Sequence, residues 1–169
     1  MEIGGGGVNT IEELKKAKET LINTVDAALV RLIQSLGGEE TADLPTEYTY
    51  HFTTDTNLFI GKKPVAVLFG EERVEVKTWR KVFEVILAKC NADPQYHDNL
   101  MYLRDKVAGR DRILLSHSSD GMKFPLRIDE DMYAEAHYGT ATLLYILRDR
   151  ILAPARFDYS NISIVIKAG

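Results

Sequence analysis

A change of hydrophobic period between residues 64 and 90 is the feature that most constrains the fold of this chain. Before a short turn at residues 70–72, Val65, Val67 and Phe69 alternate with smaller or different residues. After the turn, Val74 and Val76 alternate with charged residues, and the two segments together are typical of a β-hairpin with one buried face. From Thr78 the spacing becomes helical, and a threonine hydroxyl is a common cap for a helix N-terminus. A hairpin that leads directly into a helix predicts a mixed α and β domain.

A second periodic segment predicts one long amphipathic helix over residues 10–36. Thr10 and Glu13 form a capping box at its start, and Gly37 and Gly38 end it. The helix would be about 40 Å long, which exceeds the width of a small domain, so part of it is expected to pack on something else. A second copy of the chain is one partner, and the domain's own sheet is the alternative. The seam for a homodimer consists of Leu14, Leu21, Val25, Ala28 and Leu32.

The later segments complete an α+β fold, in which the N-terminal long helix is followed by a compact mixed α/β domain. That domain is expected to contain a largely antiparallel sheet packed by three helices, with an apolar final strand in the sheet interior. The helix after Asp93 is predicted to reach Gly109, and further strands are predicted at 48–52, 110–115, 124–128, 132–137 and 162–166. The predicted parts are a flexible leader (1–9), the long helix (10–36), an acidic linker (37–47) and the α/β domain (48–169).

Charge is unevenly distributed along the sequence. The net charge is −4, but residues 1–60 carry four basic and ten acidic side chains, whereas residues 61–169 carry seventeen and fifteen. The later part can therefore present a basic surface although the chain is acidic. A single cysteine excludes an internal disulfide, and no apolar run approaches the roughly 20 residues that span a bilayer. We expect a cytoplasmic protein that does not enter a membrane.

The sequence contains no highly specific motif for catalysis or metal binding. Residues 116–120 include Ser, His and Asp, but catalytic triads usually draw on separate segments, so a polar turn is the preferred interpretation. The four histidines lack ligand spacing, no Gly-rich phosphate loop precedes a helix, and no acidic nuclease pairing is complete. We predict no enzymatic activity, no metal and no cofactor, with a nuclease or other hydrolase as the less favoured interpretation.

Basic residues cluster where a helix end, a strand and a loop are predicted. Residues 101–127 include six basic and three acidic side chains. Arginine is suited to bidentate recognition of phosphate, so the cluster is a candidate nucleic-acid or phosphate-binding surface; a solvated face paired with nearby aspartates is the alternative. The predicted site residues are Arg104, Lys106, Arg110, Arg112, His117, Lys123 and Arg127.

Two further polar surfaces are candidates. A strand at 132–137 would place Tyr133, Glu135 and His137 on one face, near Thr140, either as a polar site or as a satisfied cross-strand network, and the network is favoured. The acidic linker offers a face for a partner protein, made of Glu39, Glu40, Asp43 and Glu47.

Two short motifs carry a resemblance to a known family. The segment V-E-V-K-T-W-R-K-V-F at residues 74–83, followed by M-Y-A-E-A-H-Y-G-T-A at 132–141, resembles the RAMA-type module attached to restriction enzymes and adenine methylases. The resemblance covers residues 62–167, and Gly139-Thr140 replaces the Ser-Ala pair of the pattern. It implies a module that senses DNA, including modified DNA, in bacterial defence.

Two functional hypotheses follow from these observations. The first is a non-enzymatic nucleic-acid-associated module linked to bacterial defence or mobile elements, which uses the basic cluster for phosphates and residues 10–36 for homodimerisation. The second is a small protein inhibitor of a nucleic-acid-processing defence enzyme, of the anti-CRISPR or anti-restriction type, which acts through its acidic face. The first is favoured.

Overall fold

The computed structural model describes residues 7–35 and 46–168, which belong to two compact units. The first unit, residues 1–44, contains one long helix; the second, residues 45–169, contains all the other elements. Residues 1–6 of the predicted leader and most of the predicted acidic linker lie outside the described residues. None of the helices in the described ranges has the length and apolar character needed to cross a membrane.

The secondary structure confirms the predicted α+β class. The helices are α1 (Gly7–Ser35), α2 (Trp79–Ala92), α3 (Pro94–Leu103) and α4 (Thr140–Tyr145), with a 3-10 turn at Thr56–Phe59 and a π-helix at Ile146–Leu152 that continues α4. The strands are β1 (Glu47–His51), β2 (Pro64–Phe69), β3 (Glu72–Glu75), β4 (Leu115–Ser116), β5 (Pro125–Asp129), β6 (Met132–Glu135) and β7 (Ile162–Lys167).

Two antiparallel sheets take the place of the single sheet that the sequence predicted. Four strands form one sheet in the order β1-β7-β2-β3, with the apolar β7 in its interior, as expected, and β1 at its edge. The other sheet has three strands in the order β4-β6-β5. The predicted hairpin is present as β2 and β3, and Gly70 in its turn has a φ of 63°, which glycine adopts without steric cost.

Helix α2 connects the two sheets through one core. The Thr78 side chain accepts a hydrogen bond from the Lys81 N–H and so caps the helix as predicted. One face of α2 is fully buried and contacts both β2 and β5. The Trp79 indole, in the first turn, donates to the Lys62 carbonyl at 2.9 Å and fixes the start of α2 to the segment before β2. The buried residues of α2 are Val82, Phe83, Ile86, Leu87 and Cys90.

The segment after α3 differs from its prediction. Helix α3 ends at Leu103 and not at Gly109, because Arg104 leaves the helical conformation with a ψ of 135° and Asp105 follows with a φ of 64°. A left-handed residue cannot continue a right-handed helix. The strand predicted at 110–115 is reduced to the two residues of β4, preceded by a single bridge between Ala108 and Ile113.

Candidate nucleic-acid interface

The three-stranded sheet has one face in the core and one that points away from it. Along β6 and the two residues after it, Met132, Ala134 and Ala136 are buried in the core, and the residues that alternate with them are on the outer face. There Tyr133 is half-buried, with Ser116 of β4 and Arg127 of β5 as its cross-strand neighbours. The predicted polar residues Glu135 and His137 lie further along the same face.

Glu135 is a buried carboxylate that organises one end of this face. Its Oε2 accepts a hydrogen bond from the Lys123 N–H at 2.7 Å, and its Oε1 accepts from the N–H groups of Phe124 and His137, both at 2.9 Å. The guanidinium Nη1 of Arg112 lies 3.6 Å from Oε2. The side chain has no solvent exposure and its oxygens are hydrogen-bonded, so it is a satisfied structural group whose partners are backbone N–H groups and Arg112.

The charge of Glu135 follows from its surroundings. Burial acts to raise the pKa of its carboxyl, but the three backbone N–H groups and the positive charge of Arg112 outweigh burial and hold the pKa below the ordinary 4.5. The group is therefore ionised at neutral pH. Because hydrogen-bond donors surround its charge, Glu135 holds the loop that precedes β5 against strand β6. Its carboxylate is not presented to a ligand.

A stacked cation and ring adjoin this carboxylate. The guanidinium carbon of Arg80, in the first turn of α2, lies 4.1 Å from the centre of the Phe124 ring, and its Nε donates to the Ala136 carbonyl at 3.4 Å. Phe124 is 38% exposed, although apolar rings are normally buried. Within the described ranges Arg80 forms no ion pair with a carboxylate. We call this surface the Glu135 platform; it comprises Arg80, Arg112, Lys123, Phe124, Glu135 and His137.

A second polar group lies towards the other end of the sheet. Oδ1 of Asp105 accepts hydrogen bonds from the Ser116 hydroxyl at 2.7 Å and the His117 N–H at 3.1 Å, and Oδ2 lies 2.8 Å from Nδ1 of His117. Burial acts to raise the pKa of Asp105, but these hydrogen bonds lower it overall. The Ser116 hydroxyl donates to Asp105 and accepts from the Ser118 N–H, so these residues form a hydrogen-bonded polar turn.

The structure distributes the seven predicted phosphate-binding residues over several places. Arg112 and Lys123 join the platform, as described above. Arg104 donates to the Asp131 carbonyl at 2.8 Å, and Arg127 donates to the Asp129 carbonyl at 3.3 Å, so both lie at the β5–β6 turn on the side of Asp105 and His117. Lys106 lies over the Tyr102 ring at 3.6 Å, and Arg110 is exposed on the segment before β4.

The remaining predicted residues do not assemble a further site in the described part of the chain. Thr140 is half-buried at the first position of α4. Glu47, at the start of β1, is paired with Arg73 of β3 at 3.1 Å, and the other acidic-face residues, Glu39, Glu40 and Asp43, lie outside the described residues. No cluster of three or more metal-ligating side chains occurs in residues 7–35 and 46–168.

Two platform residues, Arg80 and Phe124, were not among the predicted ones. Phe124 follows Lys123 and precedes Pro125, a local pattern that predicts only extended backbone. Their contact joins segments that are far apart in sequence, and only the packing of α2 against the second sheet brings them together.

Comparisons with the profiles of known protein families, with curated proteins and with solved structures find no match. Function is therefore inferred from the chemistry of the site.

Proposed function

We propose that this protein is a non-enzymatic nucleic-acid-binding module that contacts unpaired strands through the Glu135 platform. The observation that carries the proposal is the partly exposed Phe124 ring stacked with the Arg80 guanidinium. An aromatic ring and a planar cation offer the surface on which nucleobases stack, and stacking requires bases that are not paired in a duplex.

The charge of the platform supports the same function. Its one carboxylate, Glu135, is buried and already hydrogen-bonded, whereas the side chains of Arg80 and Lys123 are exposed. A phosphate backbone that approaches this surface therefore meets the exposed cations and does not meet the buried carboxylate. Such contacts release counterions from the nucleic acid and make binding dependent on salt concentration.

The family resemblance adds support by analogy. Arg80 lies in the first motif that resembles the RAMA-type module, and Glu135 and His137 lie in the second. Three platform residues thus come from the two motifs that carry the resemblance. A preference for DNA, a role in bacterial defence and a cytoplasmic location are parts of the proposal that depend on the sequence alone.

The test is a titration of fluorescently labelled twelve-nucleotide single-stranded DNA, single-stranded RNA and duplex DNA, followed by anisotropy over a series of salt concentrations. We expect single strands to bind more tightly than the duplex, with affinity falling as salt rises. Arg80→Ala is expected to weaken binding about tenfold, within the range measured for the loss of one stacking contact.

Lys89→Ala is the matched control for this variant. Lys89 is also a cation of α2 that lies over an aromatic ring, Phe69, at 5.0 Å, but it is paired with Glu72 and is not part of the platform. We expect Lys89→Ala to bind like the unchanged protein. Equal losses in both variants would show that only net charge matters and would contradict the platform. No binding to any of the three nucleic acids would contradict the function itself and favour the inhibitor hypothesis.

A further inference from the structure

Helix α1 carries a continuous apolar face that is exposed in the structure. At 100° per residue its large apolar side chains fall within a stripe about 120° wide, flanked by charged and small polar residues. These side chains are 48–65% exposed. Monomeric proteins seldom expose so many large apolar side chains in one row. The members of this apolar face are Ile11, Leu14, Leu21, Ile22, Val25, Ala28, Leu29 and Leu32.

The spacing and area of this face fit a second copy of the same helix. Ile11, Val25 and Leu32 occupy heptad a positions, and Leu14, Leu21 and Ala28 occupy d positions, over about 32 Å of helix. Covering the face would remove roughly 600 Å² from each copy, or roughly 1,200 Å² in total, which reaches the lower limit for a stable specific interface. The pattern continues without interruption except at one position.

Lys18, the residue that interrupts the apolar pattern, determines whether the two α1 helices pair in a parallel or an antiparallel orientation. Lys18 occupies the a position in the middle of the stripe. In a parallel, in-register dimer the two Lys18 ammonium groups would face each other in one a layer and repel. In an antiparallel pair centred between Leu21 and Val25, each Lys18 faces the small Ala28 of the other copy. The lysine stem can then cover apolar surface while its charge reaches water.

We propose that α1 forms an antiparallel two-stranded coiled coil with α1 of a second copy of this chain. In that register Leu21 packs against Val25 of the other copy, and Leu14 packs against Leu32. All the large apolar a and d residues from Leu14 to Leu32 then have an apolar partner, and each Lys18 is opposite an alanine. The inference is independent of nucleic-acid binding, since it uses only residues of the first unit.

The oligomeric state of the full-length protein is the first test. Light scattering coupled to size-exclusion chromatography is expected to give twice the 19.0 kDa of the chain. Val25→Glu, in the centre of the stripe, is expected to give the monomer mass. Val30→Glu is the matched control, because Val30 is exposed on the same helix but lies off the stripe. A monomer or a tetramer for the unchanged protein would overturn the proposal, as would equal effects of the two variants.

Disulfide mapping then tests the orientation. Leu21→Cys and Val25→Cys proteins are each oxidised alone, and after mixing and exchange of subunits they are oxidised together. An antiparallel pair gives the mixed 21–25 disulfide as the main product, because only facing residues meet the distance limit of about 7 Å between Cα atoms. A parallel pair gives 21–21 and 25–25 disulfides in the separate proteins and would overturn the proposed orientation. Mass spectrometry of the cross-linked peptides distinguishes these products.

Discussion

Arg80 and Phe124 are held in contact by elements that are far apart in sequence but adjacent in the fold, with 4.1 Å between the guanidinium carbon and the ring centre. Arg80 is placed by the first turn of α2, whose other face is buried between the two sheets. Phe124 is placed by its N–H bond to the buried Glu135. The candidate interface therefore depends on the core helix on one side and on one carboxylate on the other. Arg80 and Phe124 are themselves exposed, so substitutions of these two side chains test binding, and substitution of Glu135 tests folding stability.

Phe124 is expected to contribute to binding through its ring. Phe124→Ala should weaken single-strand binding about tenfold, and Phe124→Tyr should retain most of it, because a tyrosine ring stacks equally well. Anisotropy titrations check both variants. The control is Tyr102→Ala, since Tyr102 is 70% exposed and also lies against a cation, Lys106, but is not part of the platform. A similar loss in Tyr102→Ala would argue against the platform as the binding surface.

Glu135→Gln is expected to destabilise the domain by about 2–4 kcal/mol, because a neutral amide cannot accept from all three N–H donors and leaves the Arg112 charge without its partner. Urea unfolding measures this change in the free energy of unfolding. Glu130→Gln, at the exposed β5–β6 turn, is the control and should stay within about 0.5 kcal/mol of the unchanged protein. A small effect of Glu135→Gln would show that the buried carboxylate is not needed to pin the loop.

Ionisation of Glu135 is also expected to make the free energy of unfolding depend on pH. The pKa of Glu135 is lower in the folded protein than its ordinary 4.5, so the unfolded chain binds the proton more tightly. The stabilisation from Glu135 is therefore complete above about pH 5 and is lost as the pH falls through the lowered pKa of the folded state. Urea unfolding between pH 2 and pH 7 should show this fall. The slope of stability against pH should be shallower in Glu135→Gln, and an unchanged slope would contradict the assignment.

Local signals explain which parts of the structure could be predicted. The hairpin, the Thr78 cap and the face of α2 depend on neighbours within a few residues, and they are present as predicted. The end of α3 was missed because the apolar spacing continues to Val107 although the backbone turns at Asp105. The division into two sheets could not be predicted either, since strand pairing depends on long-range contacts.

The candidate site shows the same limit. Alternation along the predicted strand 132–137 predicts that Glu135 and His137 lie on one face of the sheet. It indicates the face on which a side chain lies but not whether that side chain is buried. Glu135 is buried because the loop that contains Lys123 and Phe124 supplies its donors. The Arg80–Phe124 stack depends on a tertiary contact that no local pattern indicates. The sequence therefore indicates two cations of the platform, Arg112 and Lys123, but neither member of the stack.

Asp105 combines a left-handed backbone with hydrogen bonds to Ser116 and His117. Asp105→Asn should cost about 1 kcal/mol, because asparagine tolerates this backbone and keeps one acceptor oxygen. Asp105→Ala should cost about 1–2 kcal/mol more, since alanine loses both the acceptor and the tolerance of a positive φ. Thermal and urea unfolding check this order. Equal effects of the two substitutions would show that neither the positive φ nor the remaining acceptor oxygen contributes to stability.

Cys90 is expected to be unreactive in the folded protein. Burial of the thiol, together with the negative charge of Asp93, raises its pKa to about 12, and only the thiolate reacts with thiol reagents. At pH 8 the folded chain should therefore react very slowly with Ellman's reagent, and the same chain in guanidinium chloride should react at once. The exposed thiol of Val30→Cys, which lies off the apolar face of α1, is the positive control under native conditions. Rapid labelling of the unchanged protein without denaturant would show that α2 opens readily, and it would require removal of Cys90 before disulfides on α1 are mapped.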